Sequence, residues 1–376
     1  MADRALELVA RFAGEANPTP SDWESLQRAI EVAAEEGDQD FLLGLHARAA
    51  VVSRLQVYAR MAFRAAGTIR DAAALRRFLE LARTPPACEE PTRPGVLLPD
   101  GPQRALGGLL AFHQSDEYLE RELEWFGSEE ALAPLFACWV QERVVRGSDI
   151  GRSPFVSEFW RRLRHPLGVL PLRRLAIEEN TIRSSEARRD LLGNWHQFPL
   201  LRFGPLDHPE GTWRTTWTRE PCEVSELCAV QADAALAPNA TLDARVVRLS
   251  EPPPRLRALS LRQFELDALL EGETNVSERV PREVFGALIC LGTIGGAYAE
   301  TRSGAWGRLL AWRSLRALVG AAPTEPPEQV EARALRCGWL QFENSGRWFN
   351  RVSFDLGLVC VRPDATVAIV AMTDTD

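Results

Sequence analysis

The chain has 376 residues, 45% apolar and 26% charged, with a net charge of −8, a balance that suits two ordinary hydrophobic cores and excludes bulk disorder. Acidic and basic residues interleave throughout with no uniformly basic face, which argues against nucleic acid or an anionic membrane as the partner. Lysine is absent, so a Walker A loop, a protein-kinase site and Schiff-base chemistry are all excluded.

In chain order, the first half reads as successive helices. Met1 to Arg4 run straight into an amphipathic pattern without the basic and apolar regions of a signal peptide. Ser21-Asp22-Trp23-Glu24 has the hydroxyl-to-carboxylate spacing of a capping box and leads into Leu26, Ile30 and Ala33 at helical intervals. From Phe41 to Ala66 the apolar residues Leu42, Leu45, Ala49, Val52, Leu55 and Ala59 predict a further helix, ended by Gly67-Thr68. Leu75, Phe78 and Leu79 mark another, and the Pro- and Gly-rich stretch from Pro85 to Pro102 a loop. Helical patterning resumes over Arg104–Phe126, from Ser128 through Val144, over Pro154–Arg164 and over Leu172–Leu192. Such a series predicts an α-rich domain, residues 1–195, built as a helical bundle or a HEAT-like α-solenoid. No period repeats in residue identity.

After Trp195 the texture changes, and a smaller α/β domain, 196–376, is expected, giving an α+β chain overall. Leu200–Phe203, Thr212–Trp217 and Arg245–Leu249 read as strands. Helices are expected over Ser260–Leu270, from Pro281, over Gly304–Val319 and over Glu328–Cys337. Strands Trp339–Phe342, Phe349–Val361 and Thr366–Met372 close the chain. The last two make an antiparallel hairpin around Arg362-Pro363-Asp364-Ala365, where Pro presets φ and Asp can bond its own backbone.

Compact catalytic signatures are missing. No two of the five histidines, 46, 113, 165, 196 and 208, are three to five residues apart, and no Cys-x-x-Cys or Gly-x-Ser-x-Gly occurs. The seven cysteines are odd in number and mostly set in apolar runs, as reduced thiols are. With no run of about 18 apolar residues, a cytoplasmic protein is expected. Cys290, in Ala-Leu-Ile-Cys-Leu, reads as an inert packed thiol. The glycines of Leu291–Gly296 either cradle a phosphate or let two helices approach closely, and the second reading fits the spacing better.

Two constellations carry the candidate binding residues. On the helix from Gly304, Leu309, Trp312, Leu315 and Val319 form an inward stripe, leaving Arg308 and Arg316 to face outward, and Trp306, Arg308 and Arg313 are the binding candidates. The polar loop after Phe342 adds Asn344, Arg347, Trp348, Asn350 and Arg351. Arg and Trp together suit partner surfaces, because each buries area and keeps a polar handle. The only defensible acid cluster, Asp355, Asp374 and Asp376, would hold a divalent metal if strand pairing gathered it.

Gly304-Ala-Trp-Gly-Arg-Leu-Leu-Ala-Trp-Arg-Ser-Leu315, Trp348-Phe-Asn-Arg-Val-Ser-Phe-Asp-Leu-Gly-Leu358, Arg362-Pro-Asp and Thr373-Asp-Thr-Asp376 resemble the signature of an uncharacterised bacterial domain family of high-GC species. The likeness is clearest over residues 280–376. The bacterial reading agrees with the arginine-for-lysine bias, which GC-rich codons produce. The resemblance implies where to look, at Trp306, Arg308, Arg313, Trp348 and Asp355, and carries no activity or cofactor. Two functions stay open: a non-enzymatic interaction protein with a protein partner, and an enzyme assembled from Asp355, Asp374 and Asp376 around a metal.

Overall fold

A computed structural model describes residues 2–14, 18–83, 101–114, 125, 130–179, 206, 208–231, 240–295, 303–349 and 355–374. The chain is helix-rich with one seven-stranded antiparallel sheet in its C-terminal part. It divides into two compact units; the described residues up to Gly168 belong to the first and those from Val169 onward to the second. The boundary expected near 195 lies outside the described residues, as do the expected strand Leu200–Phe203 and nearly all of the loop Pro85–Pro102.

The first unit contains α1 (Ala2–Gly14), α2 (Pro20–Glu36), α3 (Gln39–Ala49), α4 (Gln56–Ala66), α5 (Ala72–Ala82), α6 (Gly101–His113), α7 (Ala133–Val145) and α8 (Pro154–Arg162). Helix α2 starts two residues earlier than its sequence suggested. Thr19 is the cap and Asp22 returns the bond to its backbone, 2.9 Å, with Pro20 in the first turn, where a missing N–H costs nothing. The single helix expected over Phe41–Ala66 is two. Val52 is extended, at φ −107°, and a short 3-10 turn follows before α4, a break that suits the β-branched pair Val51-Val52. Helix α3 packs against α1, α2 and α4, and Leu26, Ile30, Phe41, Leu45, Ala59 and Phe63 form their shared interior. Helix α7 lies against α6 and is buried almost all round, Gln141 and Glu142 included.

His113 closes α6. Arg70 Nε donates to its carbonyl at 3.1 Å, and Arg146 lies 5.0 Å over the ring of neighbouring Phe112. Burial, then the charges of Arg70 and Arg146, lower its pKa from 6.5 to about 4. The folded state therefore refuses a proton that the unfolded chain accepts, so stability falls as pH drops from 6.5 towards 4 and levels off below. Discounted for partial exposure, the loss is about 2 kcal/mol. Urea titrations at pH 7 and pH 4.5 should show that much less pH sensitivity in His113→Gln than in the parent; equal sensitivity would remove His113 as a cause.

The second unit contains β1 (His208–Pro209), β2 (Trp217–Glu220), α9 (Val224–Leu227), β3 (Ala240–Leu249), β4 (Thr274–Glu278), α10 (Pro281–Ile294), α11 (Ser303–Leu318), α12 (Pro327–Ala334), β5 (Gly338–Asn344), β6 (Leu356–Val361) and β7 (Thr366–Asp374). The sheet order is β1-β4-β5-β6-β7-β3-β2, all neighbours antiparallel. All nine residues of β7 are buried. A strand so placed needs apolar residues on both faces, and Thr-Val-Ala-Ile-Val-Ala-Met-Thr-Asp supplies them with little alternation.

One face gathers Val247, Leu340, Phe342, Val359, Val361, Val367 and Ile369 against Leu261, Phe264, Leu266 and Leu269. Those covering residues were expected to be a helix over Ser260–Leu270. They form short 3-10 turns instead, interrupted by Glu265 in the left-handed region at φ 55°. Polar ties hold them down: Arg245 Nη1 donates to the Phe264 carbonyl at 2.6 Å, and Asp243 accepts from the Asp267 N–H at 2.6 Å. The opposite face carries Trp339, Leu358, Cys360, Val370 and Met372, also buried. Trp339 Nε1 donates to the Ala334 carbonyl, 3.0 Å, placing α12 against this side.

The β6–β7 hairpin matches its predicted turn. Ala365 N–H donates to the Arg362 carbonyl, and Asp364 Oδ1 accepts from the Thr366 N–H, both at 3.1 Å. The expected helix Leu172–Leu192 does not form over its described part, which holds only the 3-10 turn Ala176–Glu178. Among the described residues no helix is long and apolar enough to cross a membrane.

Candidate functional site

The stripe Leu309, Trp312, Leu315 and Val319 was expected to be buried, and it is, with Val319 one residue past the end of α11. Arg308 was expected to point to solvent; this is corrected, because it is 1% exposed. Its guanidinium grips Glu178 by two bonds, Nε to Oε1 at 2.6 Å and Nη2 to Oε2 at 2.7 Å. The remaining donors reach the Pro171 and Arg173 carbonyls, each at 2.8 Å. Trp312 Nε1 and the Leu175 N–H also donate to Glu178, at 3.1 and 2.7 Å. A buried charge is tolerable only when paired and bonded to this degree. The planar fork of arginine fits the task, and it clamps segment 171–178 to α11.

Trp306 is equally buried. Arg313, part-exposed, pairs with Glu226 of α9 through both Nε, 3.2 Å, and Nη2. Arg316 donates to the Glu325 carbonyl at 3.1 Å. The polar groups of α11 thus serve the fold. The same holds for the glycines nearby: a Cβ on Gly292 would sit 2.8 Å from the Gly307 carbonyl oxygen, and one on Gly307 would sit 2.2 Å from Thr293 Oγ1. These glycines are where α10 and α11 cross closely, as the packing reading of Leu291–Gly296 expected; Gly296 lies outside the described residues. Cys290 is buried on α10, and burial pushes its thiol up to about 12, as an inert packed cysteine requires.

The loop after β5 is different. Asn344 is buried and acts as a brace: its Nδ2 donates to Thr274 Oγ1 at 2.9 Å and its Oδ1 accepts from the Gly346 N–H at 2.6 Å. Ser345 N–H donates to the Glu273 carbonyl, and Glu273 N–H donates back to Ser345 Oγ. Gly272, at φ 77°, lies so close that a Cβ there would stand 2.2 Å from the Gly346 nitrogen. This two-sided seam fixes the tip of the β4–β5 pair. Beyond it Arg347 is exposed and Trp348 half-buried, its ring edge-on to Phe349 at 4.9 Å. Phe349 is buried and meets Phe342 in the core, 5.9 Å. Asn350 and Arg351 lie outside the described residues.

The carboxylates are separated by strand parity. Extending the pair Leu356↔Met372 sets Asp355 opposite Thr373, whose Oγ1 donates to Asp355 Oδ1 at 2.5 Å. Asp374, one residue on, is buried beside Ala240 on the other face. Adjacent residues of a strand point to opposite faces, so Asp355 and Asp374 are not brought together. Asp376 lies outside the described residues. Among the described residues no group of three or more His, Cys, Asp or Glu side chains could hold a metal ion.

Sequence reasoning missed Glu178 and the Gly272–Gly346 approach. Glu178 is 130 residues from Arg308, and nothing local marks it. A protein-family model described as a family of unknown function matches residues 24–376, far beyond the C-terminal stretch that carried the resemblance. No curated protein and no solved structure matches the chain.

Proposed function

The chain belongs to DUF6183, a family of unknown function, and we propose that it is a non-enzymatic protein-binding module whose contact is the tip of the β4–β5 pair. The observation that carries this is the exposed Arg347 beside half-buried Trp348 on a backbone already pinned by Asn344, Ser345 and Gly346. Arg and Trp are the side chains richest in binding energy at partner surfaces. A pre-ordered backbone lowers the entropy lost on docking. The guanidinium calls for a carboxylate on the partner, and the indole for an apolar recess next to it. The helices of the first unit serve as scaffold. The alternative, a metal enzyme built on Asp355, Asp374 and Asp376, draws no support from a register that parts the first two.

Paired pull-downs from the native host, using the parent chain and the variants Arg347→Ala and Trp348→Ala, test the proposal. A stoichiometric partner should bind each variant roughly tenfold more weakly, equivalent to about 1.4 kcal/mol, with the thermal melt unchanged in Arg347→Ala, whose side chain is exposed, and lowered in Trp348→Ala, whose ring packs against the core. A partner retained within about twofold by both variants would sink the assignment of this tip. Recovery of no stoichiometric partner by the parent chain would sink the module itself.

A further inference from the structure

Strand β2 closes the sheet at the end opposite β1 and β4, and its outer edge is not used by the binding function. Ser250 N–H donates to the Thr216 carbonyl at 3.0 Å, and these two stand opposite each other one step beyond the pair Trp217↔Leu249. Antiparallel ladders alternate, so Thr216, Thr218 and Glu220 turn their backbone groups toward β3, while Trp217 and Arg219 turn theirs away from it. The other side of β3 keeps the same phase, since Leu249 N–H donates across to the Ala365 carbonyl at 3.0 Å. Among the described residues no strand lies beyond β2. Thr216, Thr218 and Arg219 are exposed, so this edge is open to solvent.

An open edge is a template for another strand, and here its usable length is fixed at both ends. Thr215 N–H is already occupied, donating to Gln263 Oε1 at 3.1 Å. Pro221 has no N–H to offer. The free row is therefore Trp217 and Arg219. A second β2 can meet it antiparallel about a two-fold axis at Trp217, at Thr218 or at Arg219. An axis at Trp217 sets Arg219 against Thr215, whose N–H is taken. An axis at Arg219 opposes two guanidinium groups and sets Trp217 against Pro221. With the axis at Thr218, Trp217 of each copy pairs with Arg219 of the other, and each pair exchanges both backbone bonds. Every outward group is then used and no like charges meet. Residues directly opposite share a face, so each guanidinium lies beside an indole, a favourable cation–π combination. The indole is already positioned: Trp217 Nε1 donates to the Gln263 carbonyl at 3.0 Å and the ring packs against the core.

We propose that β2 pairs with β2 of a second copy of this chain, antiparallel and centred on Thr218. The contact is isologous and uses up its own edge, so association stops at two copies and does not grow into a fibre. The β4–β5 tip lies toward the other end of the strand order and is not consumed by it.

Sedimentation equilibrium of the full chain, from low micromolar to a few hundred micromolar, tests the pairing. The expected result is a reversible shift from one copy to two. Residue-resolved hydrogen exchange across the same range should slow at the Trp217 and Arg219 amides, with those of Thr218 and Glu220, already bonded to β3, unchanged. Arg219→Pro removes an outward N–H, a change that edge strands accept, and should hold the chain at one copy while it stays folded. If that variant fails to fold, Thr218→Asp takes its place: it sets two carboxylates opposite each other on the axis and should weaken pairing about tenfold at low salt, with salt restoring part of the loss. A parent chain that stays single throughout overturns the proposal. So does pairing undiminished in either folded variant, or slowed exchange at other amides and not at Trp217 and Arg219.

Discussion

Replacing Glu178 by Ala is expected to destabilise the protein by about 3–5 kcal/mol, the largest effect of any single substitution considered. The guanidinium of Arg308 is 1% exposed and the Glu178 side chain 3%. Removing the carboxylate leaves a full positive charge in the interior, with the Pro171 and Arg173 carbonyls unable to neutralise it. The Leu175 N–H and the Trp312 indole lose an acceptor at the same time. The gross attraction of the pair is not the quantity at issue, since desolvation of both ions offsets most of it; what decides the sign is the stranded charge. The double variant Glu178→Leu with Arg308→Met should accordingly recover a large share of the loss, because apolar replacements of a buried pair are often neutral or better. Urea titrations of the parent, both single variants and the double variant measure this directly. A loss below about 1 kcal/mol in Glu178→Ala would mean that water reaches the clamp.

Gly307→Ala is the second large effect, expected at about 3 kcal/mol. An alanine in a helix interior normally gains up to about 1 kcal/mol over glycine. At this position the added methyl would fall 2.2 Å from Thr293 Oγ1 and 2.7 Å from the Thr293 Cα and backbone nitrogen. The hydroxyl can rotate away, but the backbone cannot, so α10 and α11 must separate along their crossing, and overpacking of this kind costs about 1–3 kcal/mol or more. Gly108→Ala in α6 is the matched control: its Cβ would meet nothing nearer than Glu142 Cδ at 3.8 Å. That change should leave stability unaltered or slightly raised. The two alanine variants moving together would show that propensity, not the close crossing, governs both sites.

Sequence patterning revealed the elements that carry their reason within themselves. Val359, Val361, Ile369 and Val370 with Arg362-Pro363-Asp364-Ala365 between the strands mark the hairpin, because turn chemistry and β-branched runs act over a few residues, although its first strand begins at Leu356 and not at the expected Phe349. The stripe Leu309, Trp312, Leu315, Val319 is equally self-contained. Leu261, Phe264 and Ala268 have helical spacing too, yet form 3-10 turns, because Arg245 and Asp243 of a distant strand take up their backbone groups. Strand β4, Thr-Asn-Val-Ser-Glu, was not foreseen: it has one apolar side chain, and Asn344 of β5 satisfies Thr274 from across the ladder. The candidate site residues divide the same way. Arg347 and Trp348 could be named from composition alone, whereas the inward turn of Arg308 depends on a carboxylate far along the chain, and the parity separating Asp355 from Asp374 depends on register.

The burial of β7 has a consequence for how the polypeptide comes off the ribosome. Among the described residues, β7 is the strand that joins β3 and β2 to β6, β5, β4 and β1, and it is the last of the seven to be synthesised. Until it emerges, the nascent chain holds two half-sheets with bare apolar edges that have nothing to pair with, a state prone to association with other chains. Closure of the unit is thus reserved until β7 is clear of the ribosome, and a ribosome stalled before Thr366 leaves a product without its keystone.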